Sequence, residues 1–322
     1  MKSFRFGWLM VIAGIVPVAS AQAEYPDKLL RWIVTMPAGG GNDAVVRPIA
    51  KRLSDVLGKQ VIVDNRGGAG GMIGAALAAK SSPDGYTLVL LTLGHAIAVN
   101  LYKDNANIDL LRDFSPVTLL AANPSVLVVH PALPVKSVQQ LLALCKARPG
   151  QLTYSSAGNG TPNHVAAELF SYMTGTKMTH LPYKGGGSSM IGLIGGEASL
   201  SFASMPSSIA HIRSSRLRAI AVTTAQRSPS MPGLPTISES GVPGFEAETW
   251  FGLSVPAGTP KEIVMRLNGE VHKALQIPEV MQQFDNAGLQ VRTSTPEQYA
   301  AFTRSEVEKW GKVVKASGMR AE

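Results

Sequence analysis

The residues best suited to chemistry in this chain are small and uncharged. Arg31 to Met36 (RWIVTM) reads as a strand, Pro37-Ala38-Gly39-Gly40-Gly41 as a bend open only to small residues, and Asn42 or Asp43 as the cap of a helix reaching about Leu57. A helix start presents four N–H groups without intrahelical partners, together with a partial positive charge. Such a stretch can hold an anion without Lys or Arg. Comparable glycine-rich turns recur at 66–74 (RGGAGGMIG), 155–164 (SSAGNGTPNH) and 184–189 (KGGGSS). A plain β-α turn is the competing reading of any one of them, and repetition weighs toward binding.

Reagents for catalysis are scarce. The sequence has no GxxxxGK[ST], GxSxG or HExxH stretch, and GAGGMI at 68–73 misses the dinucleotide fingerprint at its last glycine. Ser155 or Ser156 with His164 is the best nucleophile and base pairing, and it has no identified third member. A periplasmic hydrolase therefore ranks below a binding protein. The histidines at 95, 130, 164, 180, 211 and 272 show no metal-ligand spacing, and no cofactor is expected. Asp43 fits a helix cap better than a general base. His95, just past a strand's carboxyl end, fits either ligand contact or a cap, with contact favoured by position. The single cysteine, Cys145 in LLALCKA, excludes an intramolecular disulfide and reads as buried in a helix.

The elements that must position these residues alternate. Gln60 to Asn65, Tyr86 to Thr92 and the opening strand, with helices between, predict a doubly wound parallel sheet. Asp113 to Ala122 and Ser125 to His130 carry the chain into a second lobe. There Leu152 to Ser156, Met178 to Tyr183, Ala198 to Ala203 and Arg218 to Thr223 are strands between helices. After a Pro-, Gly- and Ser-rich connector at 228–244, Glu248 to Val255 recrosses, and three helices follow. The expected fold is α/β and two-lobed, each lobe a doubly wound, mostly parallel sheet with helices on both faces. Lobe one spans 24–123 and 249–322, lobe two 124–248, and hinge crossovers lie near 123 and 248, a plan suited to closure on a ligand.

Residues 1–23 begin with Lys2 and Arg5, continue uncharged and apolar, and end Ala21-Gln22-Ala23, the form of a cleaved signal peptide. A free periplasmic protein is expected. The net charge of +8 is scattered and aromatics make up 6 %, which argues against nucleic acid.

The succession MPAGGGND (36–43), DNRGGAGGMIG (64–74), SPDGYTL (82–88), YSSAGNGTPNHVAAELF (154–170), HLPYKGGG (180–187), LRAIAVT (217–223) and WFGLSVPAGTP (250–260) resembles the tripartite tricarboxylate transporter substrate-binding proteins, the Bug family of periplasmic receptors. The resemblance implies a Venus-flytrap receptor, not an enzyme, that captures a small carboxylate and presents it to a membrane transporter of one large and one small subunit. A membrane-bound sensor kinase is the alternative partner. The resemblance also implies that Pro37, Ala38, Gly39, Gly40, Asn42 and Asp43 face Ser156, Gly158, Asn159, Gly160, Thr161 and His164 across the cleft, with Thr92, His95, Ala203 and Ser204 lining it. Tyr183 and Lys184 would close it. Ser199 and Ala203 stand where the family often has Asp, which suggests a carboxylate ligand lacking an amino group. Gly67-Gly68 replaces the family's usual Pro-Gly, so that turn should be looser.

Overall fold

The computed structural model describes residues 25–39, 41–102, 108–229 and 231–319; the leader read at 1–23 and Gly40 lie outside them. Numbered in chain order, β1 (Leu30–Val34), β2 (Val61–Asn65), β3 (Thr87–Thr92), β4 (Phe114–Asn123), β10 (Thr249–Pro256) and β11 (Gln290–Val291) make one sheet, in the order β11-β4-β10-β3-β1-β2. A second sheet holds β5 (Ser125–Val129), β6 (Thr153–Ser156), β7 (Thr179–Pro182), β8 (Leu200–Ser204) and β9 (Arg218–Val222), in the order β7-β6-β8-β5-β9.

Successive residues of a strand point to opposite faces, and both faces of each sheet are apolar here. In the first sheet Trp32, Val34, Leu88 and Leu90 pack against α1 (Gly41–Leu57), α8 (Lys261–Leu275) and α9 (Pro278–Asn286). Ile33, Val89 and Leu91 face α2 (Met72–Ala79), α3 (Leu93–Leu101) and α10 (Pro296–Ser317). In the second sheet Leu127, Val129, Leu200 and Phe202 meet α4 (Val138–Ala147) and α5 (Pro162–Thr174), and Cys145 is buried there on α4. Val126, Val128 and Ala203 meet α6 (Gly186–Ile194) and α7 (Met205–Arg213). Two α/β lobes result, with helices on both faces of each sheet.

The sheets are mixed rather than mostly parallel. β1 runs parallel to β2 and β3, and β6 parallel to β7 and β8. β10 is antiparallel to β3 and β4, and β5 to β8 and β9. The cause is the crossing itself. β5 and β10 enter their lobes from the edge at which their neighbours end, β3 and β4 in one sheet and β8 and β9 in the other, so they must run against them, and β11 also runs against β4.

The register fixes what lies at that edge. Thr249, the first residue of β10, pairs with Asn123, the last of β4, and Phe251 pairs with Thr92, the last of β3. In the other lobe Ser125, the first residue of β5, pairs with Ser204, the last of β8. Both crossovers therefore leave from the carboxyl ends of the parallel strands. The turns after β1, β2, β3, β6, β7 and β8 leave from these same strand ends, the ends at which open α/β sheets bind ligands. The lobes also touch: α10 packs on α3 and β4 of the first and on α5 of the second.

Candidate ligand-binding cleft

In the first lobe the turn after β1 leads straight into α1. Pro37, Ala38 and Gly39 are exposed and Gly39 has φ of 88°, a left-handed conformation that suits glycine. Asp43 does not look outward. It is 6 % exposed and turns back on the loop, its Oδ2 accepting from the Gly39 N–H at 2.6 Å and from Arg47 at 3.3 Å. Its Oδ1 accepts from Asn65 Nδ2 at 3.0 Å, and the same Nδ2 donates to the Met36 carbonyl at 3.0 Å. Burial raises the Asp43 pKa, but the bonds from Asn65, Gly39 and Arg47 outweigh it and hold the carboxyl below its ordinary range. Asp43 is thus a brace for the loop, and Asn65 and Arg47 are members of the brace that no local motif signals. Asn42 is half-buried, and its Nδ2 meets no acceptor among the described residues.

Thr92 and His95 form a second brace. Helix α3 starts at Leu93, directly after the last residue of β3. His95 Nδ1 accepts from the Thr92 N–H at 3.0 Å and lies 3.1 Å from Thr92 Oγ1. His95 is fully buried and Thr92 nearly so, and burial pushes the imidazole down to about 4. Its Nε2 abuts Gly71, where a Cβ would come within 2.8 Å. His95 is therefore a neutral cap and a packing surface for the 66–74 loop, and the contact with ligand favoured from its position is replaced by the cap. Gly67 of that loop lies against Pro37, where a Cβ would come within 2.9 Å of the proline ring.

In the second lobe the turn after β6 repeats the arrangement. Ser156 is fully buried, its Oγ 3.1 Å from both the N–H and the carbonyl of Gly158. Thr161 Oγ1 donates to the Gly158 carbonyl at 2.6 Å, and His164 Nδ1 accepts from the Gly160 N–H at 3.0 Å. Gly158 has φ of 130°, so a side chain there would strain the turn. Asn159 is exposed, and Gly158, Gly160 and Thr161 are half-buried. Pro162 opens α5 with no N–H, which leaves those of Asn163 and His164 as the orphan donors of the first turn. Neither Ser155 nor Ser156 is hydrogen-bonded to His164; both serines are fully buried and no nucleophile is presented.

One expected lining residue, Ala203, and the tyrosine expected to close the cleft sit elsewhere. Ala203 is 2 % exposed and packs with Met190, Leu193 and Met205 toward α6 and α7, because alternation along β8 turns Leu200 and Phe202 to the other face. Ala203 therefore offers its side chain to the core of the second lobe and not to a ligand. Tyr183 donates to Glu197 at 2.7 Å and lies over Gly192, which ties it to its own lobe. Ser204 does stand at the edge, half-buried at the start of α7, with its Oγ 2.7 Å from that of Ser207.

The two loops, 35–43 and 156–164, contain no Arg or Lys. Helices α1, α5, α6 and α7 each start just after a strand's carboxyl end, and the orphan N–H groups and macrodipole of such a start suit a small anion. The family model of the tripartite tricarboxylate transporter family receptor matches residues 45–319. The chain belongs to that family. This receptor is 38 % identical over 315 residues to protein BugT of Bordetella pertussis, covering 98 % of this chain and 96 % of that one. Its fold is similar to that of R. palustris Rpa4515 solved with adipate, at a TM-score of 0.75 and 35 % identity over 92 % of this chain and 99 % of the other. MatC from Rhodopseudomonas palustris, solved with bound malate, is similar at a TM-score of 0.72 and 28 % identity, covering 90 % and 100 %. Members of the family are periplasmic solute-binding receptors rather than enzymes, and this receptor is one of them.

Proposed function

We propose that this receptor captures a small dicarboxylate between its lobes and presents it to a two-subunit integral membrane transporter. The observation that supports the reading is the pair of cation-free loops, one in each lobe, each running into a helix N-terminus and each braced from behind. A carboxylate placed there gains charge-assisted hydrogen bonds from the helix-start N–H groups that the braces do not use, those of Asn163 and His164 among them. Ligands of this class are seen in two relatives, adipate in one and malate in the other. Contact falls to Pro37, Ala38, Gly39, Gly40 and Asn42 on one side and to Gly158, Asn159, Gly160, Thr161 and Ser204 on the other. The enclosed Nδ2 of Asn42 finds an acceptor in the carboxylate. Asp43, Thr92, His95, Ser156 and His164 hold those residues in place. The lobes hinge near 123 and 248, and the chain is exported by a signal peptide, residues 1–23, that is then cleaved, and works as a monomer.

The test is a thermal-shift panel of mono-, di- and tricarboxylates, amino acids and aromatic acids on the chain from Glu24 onward. A ligand at about 100 times its Kd adds roughly 2.7 kcal/mol to the folded state, a rise of several degrees. A graded rise across dicarboxylates is expected. A flat response to every acid, in protein freed of carried-over ligand, contradicts the reading.

A further inference from the structure

The underside of the second-lobe loop holds a residue that no motif singles out. His180 lies on β7 in register with Tyr154 of β6, and its Nε2 is 2.6 Å from Ser156 Oγ. The two imidazoles of His164 and His180 stack at 4.0 Å with their planes 4° apart, and His180 also stacks on the Tyr154 ring at 4.9 Å and 14°. Tyr154 donates its hydroxyl to Glu168 Oε1 at 2.5 Å, and the same oxygen is 3.9 Å from His164 Nε2. Strand β6, strand β7 and helix α5 each contribute one ring to this parallel set, and Glu168 backs it. Resting on the reading that the loop holds a carboxylate, we propose that His180 and His164 are its positioning residues, gripping its two ends. His180 fixes the start through Ser156, whose Oγ sets Gly158, and His164 fixes the end through the Gly160 N–H.

The hydrogen bonds dictate a chemical state. His164 Nδ1 accepts from Gly160, so its proton sits on Nε2, directed toward Glu168. A protonated ring at this site would turn a donor on the Gly160 N–H and face a second imidazole at stacking distance. The groups turned to the pair are Tyr154, Ser156 and Glu168, and burial, with His180 at its face, pushes His164 down to about 4. Burial likewise lowers His180. The pair is neutral at neutral pH, so it shapes the loop without drawing the anion to itself. Ser156 is fully buried and His164 6 % exposed, so neither grips the ligand directly.

Three measurements test this. On wild-type protein, nitrogen-15 spectra of the imidazoles at pH 7 should show His164 as the neutral Nε2–H tautomer; a protonated ring or the Nδ1–H tautomer overturns the proposal. Amide hydrogen exchange of the ligand-free mature chain should speed up at least tenfold for Gly160 in His164→Phe and for Gly158 in His180→Phe. His164→Asn, whose Oδ1 can take the place of Nδ1, should recover most of the Gly160 protection. Unchanged exchange, or an Asn variant as fast as the Phe variant, overturns it. Calorimetric titration with adipate and with malate should show about tenfold weaker binding in both Phe variants, against a smaller loss in His164→Asn. If the wild type binds neither acid, the carboxylate reading fails while the tautomer and exchange results still decide the positioning role. A failure confined to the variants' exchange sinks the positioning role and leaves the receptor reading standing.

Discussion

Replacing Asp43 by Asn tests whether the first loop is held from behind or merely follows the chain. The carboxylate takes three bonds, from Gly39 and Arg47 on one oxygen and from Asn65 on the other. An amide can accept on only one side, so whichever way the substituted side chain turns, its NH2 faces another donor. A hydrogen bond to a charged group contributes roughly 1.5–3 kcal/mol net, and a buried donor left unmet adds to the loss. Asp43→Asn should therefore lower stability by about 2–4 kcal/mol in urea unfolding followed by circular dichroism. Freed at Gly39, the loop should also bind carboxylate at least about tenfold more weakly by calorimetry, since ~1.4 kcal/mol of lost preorganisation is tenfold in Kd. The sign with pH follows from the lowered Asp43 pKa: the advantage of wild type is full above the ordinary aspartate value of about 3.9 and closes as pH falls through the folded value. A variant within about 0.5 kcal/mol of wild type and equal in affinity would refute the brace.

Other perturbations separate site from scaffold. Gly41 opens α1 with ordinary φ and nothing within 4 Å of a built Cβ, so Gly41→Asp should fold within about 2 °C of wild type, helped by its place at a helix start, yet bind carboxylate more than about tenfold more weakly in calorimetry. Equal affinity would remove that helix start from the site. Glu248, at the second crossover, is 6 % exposed, and burial, reinforced by Glu246 and Glu306, raises it to about 7 despite Arg292 at 2.7 Å and Lys309. Its contribution is complete below the ordinary value and lost as pH rises through about 7, so Glu248→Gln should gain about 3 kcal/mol over wild type at about pH 8.5 and almost nothing near pH 4.5. An equal difference at both pH values in urea titrations would contradict this. His95 and His164, each pushed down to about 4, take up protons only on unfolding between 6.5 and 4, so in the Glu248→Gln background stability should fall across that window by up to about 3 kcal/mol per histidine. A flat profile would show the rings to be solvated. Gly252 lies under the buried Tyr299, whose hydroxyl would be 2.1 Å from an added Cβ; Gly252→Ala should cost about 1–3 kcal/mol, and a Tm unchanged within a degree would argue against that packing.

Much of this molecule is legible in its sequence, for a physical reason. Apolar runs such as TLVLLT at 87–92 have only strands buried on both faces as an outlet, and glycine turns such as PAGGG at 37–41 mark where helices begin. The strand, turn and helix alternation that positions the two loops can thus be read locally. Pairings made over distance cannot. Nothing in the local pattern tells that Asn65 reaches back to Asp43, that His180 meets Ser156, or that β10 inserts between β3 and β4. Thr92 and His95 mislead for a related reason: LGHAIAVNL is apolar nearly all round, so the start of α3 looks like the end of β3, and a capping histidine looks like a ligand donor. Ala203 misleads because a strand's last residues alternate between cleft and core, and one position decides which.

The most direct measurement is a crystal structure of the mature chain with the dicarboxylate that gives the largest thermal shift, refined to a resolution that places its oxygens. The expected result is carboxylate oxygens within hydrogen-bond distance of N–H groups at the start of α1 and of the 157–163 loop, with both lobes in contact with one ligand. Ligand bound to a single lobe, or seated away from those helix starts, would contradict capture between the lobes.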